Sequence, residues 1–358
     1  MPWSLIKIIL PITLTFFIGI GITPIISDFL YKHKMWKKKS GKIDMEGNDT
    51  PIFNKLHKEK EVGTPRMGGI VIWASVLITV SLFWILSNIL PAEIFSKLDF
   101  VSRNQTWIPL SAFFIGALVG LVDDFLEIKG SRSVKNVTGG LSFKKRLAVI
   151  FIIGLFVSGW FYFKLGVDSI GIPFYGPLNI GFLIIPLFII MMLVVYSGGV
   201  IDGLDGLSGG VFAAAFSAYG MLAFSLDQIN LAALCAAIVG GILAFLWFNI
   251  PPARFYMSET GSMALTITLT IVAFMTDSIV DGYGLFVLPI IAFLIIISAI
   301  SSVGQIFVKK FFGKKILLSA PLHHHFEALG WPAYKITMRY WIISIVVAFI
   351  GIIISLIG

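Results

Sequence analysis

The residues in this sequence with chemistry to offer stand in a few tight groups set between long apolar runs. Asp123 and Asp124 are adjacent in Gly-Leu-Val-Asp-Asp-Phe. Two neighbouring carboxylates withdrawn from water cannot both stay ionised without a cation, because like charge at close range raises one proton affinity. A hard, oxygen-seeking ion such as Mg2+ relieves that repulsion and can bridge substrate phosphates. The plainer alternative is a pair of solvated acids closing a helix. Asp202 and Asp205 lie within Ile-Asp-Gly-Leu-Asp-Gly-Leu-Ser-Gly-Gly, residues 201–210. On one helical turn they would share a face, with glycines that let backbone approach a ligand closely; a Gly-rich turn with Asp is equally an ordinary helix cap. Glu259 falls in 249–262, a stretch that ends one helix and opens the next, so it suits a ligand site or simply the positive end of a helix dipole. His323, His324 and His325, in Pro-Leu-His-His-His-Phe-Glu, are too internal to be a purification tag, and a proline and an aromatic flank them.

The elements that must carry these groups are narrowed by composition. The chain of 358 residues is 57% hydrophobic and 13% charged, with a mean hydropathy of +0.94, whereas a soluble domain carries about 25% charged residues. A bilayer core is crossed by about 20 mostly apolar residues in a helix. Ten such stretches follow one another: 4–30, 68–90, 107–122, 147–163, 180–196, 210–226, 231–248, 263–276, 284–307 and 340–357. With no water in the hydrocarbon to satisfy backbone groups, each is expected to be a helix. The first is too long for the apolar part of a signal peptide and reads as a retained helix. The expected fold is therefore an all-α polytopic membrane protein, a single integral membrane domain over 1–358. Cys235, the single cysteine, lies in an apolar run, which argues against disulfides, thiolate metal sites and redox chemistry.

Charge sets the orientation. Lys and Arg gather in alternate loops, after the first, third and ninth spans, while the intervening loops hold only Lys97, Arg103 and Lys164. The basic loops face the cytoplasm by the positive-inside rule, and an even number of spans then leaves both termini periplasmic. The net charge of +8 follows from this topology and an anionic substrate, with no need of nucleic acid. Drawn this way, Asp123, Asp124, Asp202, Asp205, Glu259 and the three histidines all fall on the cytoplasmic face, and the active site is expected in its loops. Ionisable residues at membrane depth are costly and mark function by default.

Several motifs carry a resemblance over essentially the whole chain: Gly63-Thr64-Pro65-Arg66-Met67-Gly68-Gly69, Val122-Asp123-Asp124, Asp202-Gly203-Leu204-Asp205-Gly206-Leu207, Phe245 to Asn249, Thr260-Gly261-Ser262, and Ala320 to Glu327 with Gly330-Trp331-Pro332. The pattern resembles the polyprenyl-phosphate N-acetylhexosamine-1-phosphate transferases. The His-His-His-Phe-Glu and Gly-Trp-Pro elements favour the branch that takes UDP-MurNAc-pentapeptide over the relatives that use N-acetylglucosamine phosphate. The resemblance implies Mg2+-dependent transfer of phospho-MurNAc-pentapeptide to undecaprenyl phosphate in the bacterial inner membrane, giving lipid I and UMP for peptidoglycan synthesis. It also implies roles. Asp123 and Asp124 would serve the metal and the lipid phosphate, one of them as base or nucleophile, and Glu259 the metal. Asp202, Asp205 and Asn249 would lie at nucleoside or active-site positions, Tyr256 would stack on uracil, and the histidines would stand by the phosphates or the sugar. Lys60, Lys144 and Arg146 would bind substrate. Homodimers occur in the family, so the resemblance extends to a homodimer as a partner.

The sequence departs from the family pattern at particular positions. Glu259 stands for Asp, Gly199 for Asn, Glu127 for Lys, Arg66 for Thr and Arg146 for Lys, and one extra residue between His57 and Gly63 leaves the family lysine as Lys60 or displaced by Glu61. Arg66 is expected to restore the positive charge lost at Glu127. Three other readings compete: a GlcNAc-1-phosphate transferase, an inactive relative kept as a scaffold, and an ion-coupled transporter. Transporters place such residues near the bilayer midplane on broken helices, and the acids here sit by basic loops.

Overall fold

The computed structural model describes residues 2–37, 62–90, 93–130, 140–277, 279 and 282–358. Ten of its helices are long and apolar enough to cross a membrane, and the protein is a multi-pass membrane protein. In chain order the helices are α1 (Pro2–Lys32), α2 (Ile70–Ile89), the short α3 (Glu93–Leu98), α4 (Trp107–Lys129), α5 (Phe143–Gly159), α6 (Ile184–Ser197), α7 (Leu207–Ser225), α8 (Ile229–Asn249), α9 (Ser258–Met275), α10 (Gly284–Ile291), α11 (Phe293–Phe312), the short α12 (Leu322–Ala328) and α13 (Ala333–Ile357). A hairpin not foreseen from the sequence, β1 (Ser169–Ile172) antiparallel to β2 (Gly176–Asn179) with Ile170 opposite Leu178, joins α5 to α6.

The core is built around α8 and α9. Within its apolar window α9 is 94% buried and α8 83%, against 17% for α1, so the first two face protein and the last faces lipid. Helix α4 packs along α9, α7 and α1 along α8, and α13 along α7. Near the chain ends, Lys97 Nζ sits 5.5 Å from the Trp3 ring, and Tyr283 donates to the Gly358 carbonyl at 2.7 Å. Two sequence expectations need correction. The stretch 284–307 is two helices, α10 and α11, parted at Ala292; Pro289 inside α10 has no N–H to give to a continuous ladder. The third span does not stop at 122 but runs to Lys129. Asp123 and Asp124 are therefore helical and Glu259 opens α9, so the site is made of helix ends as well as loops.

Candidate active site

The first turn of α9 organises the site. A helix leaves its first N–H groups without intrahelical partners, and no local side chain caps α9. Two distant carboxylates do so instead. Asp124 Oδ2 accepts the Thr260 N–H at 2.9 Å and its hydroxyl at 2.6 Å, with the Glu259 N–H 3.4 Å from Oδ1. Asp202 Oδ2 accepts the Ser258 N–H at 2.9 Å, and Oδ1 the Ser208 hydroxyl at 2.7 Å. Negative charge at a helix N-terminus is favoured by the dipole. The approach depends on Gly120, one turn before the acids in α4, where a Cβ would lie 2.1 Å from the Glu259 carbonyl oxygen. Ser258 itself is held at φ +57°, a conformation that costs a non-glycine residue energy and clusters at functional sites.

Two arginines lie among the acids. Arg146 Nε is 3.3 Å from Asp123 Oδ2, and Nη1 is 2.5 Å from Glu259 Oε1. Asp123 Oδ1 accepts the Leu141 N–H. Arg66 Nη1 donates to Glu127 Oε1 at 3.0 Å, Nε donates to Ser258 Oγ at 3.2 Å and lies 3.8 Å from Asp124 Oδ1. Burial opposes the Arg66 charge, yet Glu127, Asp124, Glu259 and Asp202 hold the guanidinium above its ordinary proton affinity. Burial likewise pushes the Asp202 carboxyl above the usual carboxylate range, against the pull of the hydrogen bonds from Ser208 and Ser258. The departures at 66, 127, 146 and 259 thus meet in space as two ion pairs, Arg66 with Glu127 and Arg146 with Glu259.

The histidines reach the same place from α12. His323 and His324 are buried with ring centroids 4.3 Å apart, and Nε2 of each converges on Gly203, where a Cβ would stand 2.5 Å from His323 Nε2 and 2.8 Å from His324 Nε2. Only a glycine beside Asp202 admits both rings. His324 Nδ1 pairs with Glu327 Oε2 at 2.6 Å, and Phe326 stacks on Trp331 at 4.9 Å, which anchors the His-His-His-Phe-Glu and Gly-Trp-Pro segments to each other. His325 stands apart and its Nδ1 accepts the Leu318 N–H.

A sequence profile described as Glycosyl transferase family 4 matches residues 106–277. Phospho-N-acetylmuramoyl-pentapeptide-transferases from three bacteria align along nearly the whole chain. That of Chloroflexus aurantiacus is 34% identical over 92% of this chain and 84% of its own length. The Clostridium perfringens protein is 32% identical over 96% and 98%, and the Listeria monocytogenes protein 30% identical over 98% of each. The chain belongs to the phospho-N-acetylmuramoyl-pentapeptide-transferase family. It is a phospho-sugar transferase of peptidoglycan synthesis, and the transporter reading falls.

Within this transferase the residues picked from sequence have different surroundings. Asp123, Asp124, Glu259, Arg146, Asp202, His323 and His324 form one connected group through the contacts above. Asp205 and Asn249 are engaged with backbone: Asp205 Oδ2 accepts the Ala253 N–H at 3.1 Å, and Asn249 spans Gly206 N–H and the Phe255 carbonyl at 2.9 and 2.8 Å. Asp202 and Asp205 do not share a helical turn, because α7 begins only at Leu207. Tyr256 is half-buried, its backbone paired with Pro65 and Gly68. Lys144 is exposed. Lys60 lies outside the described residues. Ser208, Ser258 and Thr260 are site residues that residue type alone does not pick out; Thr260 lies in the Thr260-Gly261-Ser262 motif, within the first turn of α9.

Asp123 Oδ2 is buried and accepts no hydrogen bond among the described residues. Its charge partner is Arg146 Nε at 3.3 Å, and a hard carboxylate oxygen of this kind suits Mg2+, which takes one or two protein carboxylates and completes its shell with water and substrate phosphate. Among the described residues no three His, Cys, Asp or Glu side chains form a ready cage. Arg146 lies against the two carboxylates, Asp123 and Glu259, that such an ion would use.

Proposed function

We propose that this chain, acting as one unit over 1–358 in the bacterial inner membrane with both termini periplasmic, transfers phospho-MurNAc-pentapeptide from UDP-MurNAc-pentapeptide to undecaprenyl phosphate. An oxygen of the lipid phosphate attacks the sugar-proximal phosphorus. The bond from that phosphorus to the bridging oxygen breaks, and UMP leaves with that oxygen. Phosphoryl transfer needs little covalent help from protein and depends on positioning and charge neutralisation. Asp123 and Glu259 would hold Mg2+, which when bound would supply the neutralising charge for the diphosphate. Asp124, fixed by Thr260, orients the lipid phosphate and takes its proton if it arrives protonated. Asp202 fixes the Gly203 turn over which His323 and His324 face the sugar or its phosphate, Tyr256 stacks on uracil, and Arg146 moves from the acids to the substrate.

One observation carries the reading: acids from α4, the 202–206 turn and α9 meet two arginines and two histidines. The test is UMP release by the purified protein given undecaprenyl phosphate, Mg2+ and either UDP-MurNAc-pentapeptide or UDP-GlcNAc. UMP from the first donor is expected. UMP from the second alone reassigns the donor, and UMP from neither overturns the reading.

A further inference from the structure

Arg66 belongs to none of the roles assigned above, yet its surroundings are those of a placed ligand-binding cation. Its backbone N–H donates to the Met35 carbonyl at 2.8 Å, and its neighbours are pinned to the 256 region: Tyr256 N–H to Pro65 O at 2.9 Å and Gly68 N–H to Tyr256 O at 2.8 Å. The side chain lies between Asp124 and Glu127, which stand one turn apart on α4, and touches Ser258 at the start of α9. A guanidinium has five N–H donors in a planar fork. Here Nε and Nη1 are engaged with protein, and Nη2 has no partner among the described residues. Glu127 is also met by Lys37 Nζ at 3.2 Å, so Lys37, Glu127 and Arg66 together keep one net positive charge.

We propose that Arg66 binds the diphosphate of the nucleotide donor and that Glu127 is its positioning residue. The inference rests on the donor chemistry proposed above. Arg66 stands between the segment holding Tyr256 and the carboxylate of Asp124, the interval a diphosphate must span if uracil lies at the first and the lipid phosphate at the second. A planar fork suits phosphate better than the point charge of a lysine. Thr at 66 with Lys at 127, the family pattern, puts the cation on the helix; Arg66 with Glu127 puts it on the loop and uses the helix residue as its anchor.

The experiment compares UDP with uridine, binding measured calorimetrically on the full-length protein in detergent, for the unaltered chain and for Arg66→Thr, Arg66→Lys, Glu127→Gln and Arg66→Thr/Glu127→Lys. Loss of one charge-assisted phosphate contact weakens UDP about ten- to a hundredfold and leaves uridine unchanged. Arg66→Lys and Glu127→Gln fall between, and the double variant recovers much of the UDP affinity lost in Arg66→Thr. Equal weakening of uridine and UDP, no recovery in the double variant, or no UDP binding by the unaltered chain overturns the inference. UDP binding with the expected pattern but without UMP release from either donor leaves Arg66 as a phosphate ligand and defeats the transfer reading alone.

Discussion

Arg146→Gln removes one guanidinium from between two carboxylates. Asp123 is fully buried, while the Arg146 and Glu259 side chains are each 21% exposed. At an effective dielectric near 20, a charge pair at the observed 3.3 Å attracts by about 5 kcal/mol. Desolvation cancels part of that, and breaking a buried pair from one side typically costs about 3–5 kcal/mol. The partial exposure of Arg146 and Glu259 lowers the expectation to roughly 2–4 kcal/mol. Thermal unfolding in detergent should then show a drop of roughly 3–5 °C, the shift such a loss gives in a chain of 358 residues. Because the loss comes from uncompensated negative charge, Arg146→Gln/Glu259→Gln should be more stable than Arg146→Gln. Mg2+ should also raise the Tm of the single variant more than that of the parent, since a ligand that binds only the folded state stabilises it more the tighter it binds. A single variant as stable as the parent, or a double variant less stable than the single, would refute the argument that Arg146 neutralises these acids.

Other perturbations test the parts around it. Gly203→Ala drives a methyl into His323 and His324 Nε2, so UMP release should fall by at least about tenfold, the scale of a small misplacement of a positioning group; unchanged turnover would remove the histidines from the reaction. Thr260→Val deletes the 2.6 Å hydroxyl bond to Asp124 and should cost about 1–2 kcal/mol in thermal unfolding, whereas Thr260→Ser should keep the parent's value. Asp202, whose carboxyl is pushed above the usual range by burial, favours the protonated folded state. Its contribution to stability is full below the unfolded value, about 3.9, and is lost as pH rises through the folded one. Asp202→Asn should therefore unfold with a flatter pH profile across that window, and a profile parallel to the parent's would contradict it.

Hydropathy made the ten crossings legible because each residue facing lipid must be apolar, and the short motifs marked the acids and histidines. The span ends were not legible. A hydropathy window stops at charge, and so ended the third span at 122, although Asp124 is buried at the α9 terminus and α4 continues to Lys129. The eighth span, set at 263–276, begins at Ser258, because its polar first turn is satisfied by residues far away in sequence. Asp205 and Asn249 have the composition of ligand-binding residues, and only geometry shows their bonds going to backbone. The opposed substitutions at 66 and 127 lie in contact, at 3.0 Å. The matching relation between 146 and 259 had no such sign, since neither residue changes its charge relative to the pattern.

The burial of α9 ties these threads together. It has the lowest mean hydropathy of the crossing helices, 1.3 against 2.3 for α1, yet the highest burial. Thr266, Thr268 and Thr270 lie along it, fully buried. A helix ringed by protein need not be apolar all round, so its N-terminus can be set within the bundle where a lipid-facing helix could not leave unpaired N–H groups. Those groups then dictate where Asp124 and Asp202 stand. Fixed donors of this kind make a charged site pre-organised, with little reorganisation left for the reaction. The same arrangement gives each acid a share in stability as well as chemistry. An alanine at 124 or 202 uncaps α9 and disturbs the site together, so lost activity in that variant says little about catalysis. Asparagine retains a carbonyl that can accept the helix N–H while losing the charge. Preserved unfolding temperature with lost turnover in Asp124→Asn would separate the chemical role of that carboxylate from its structural one.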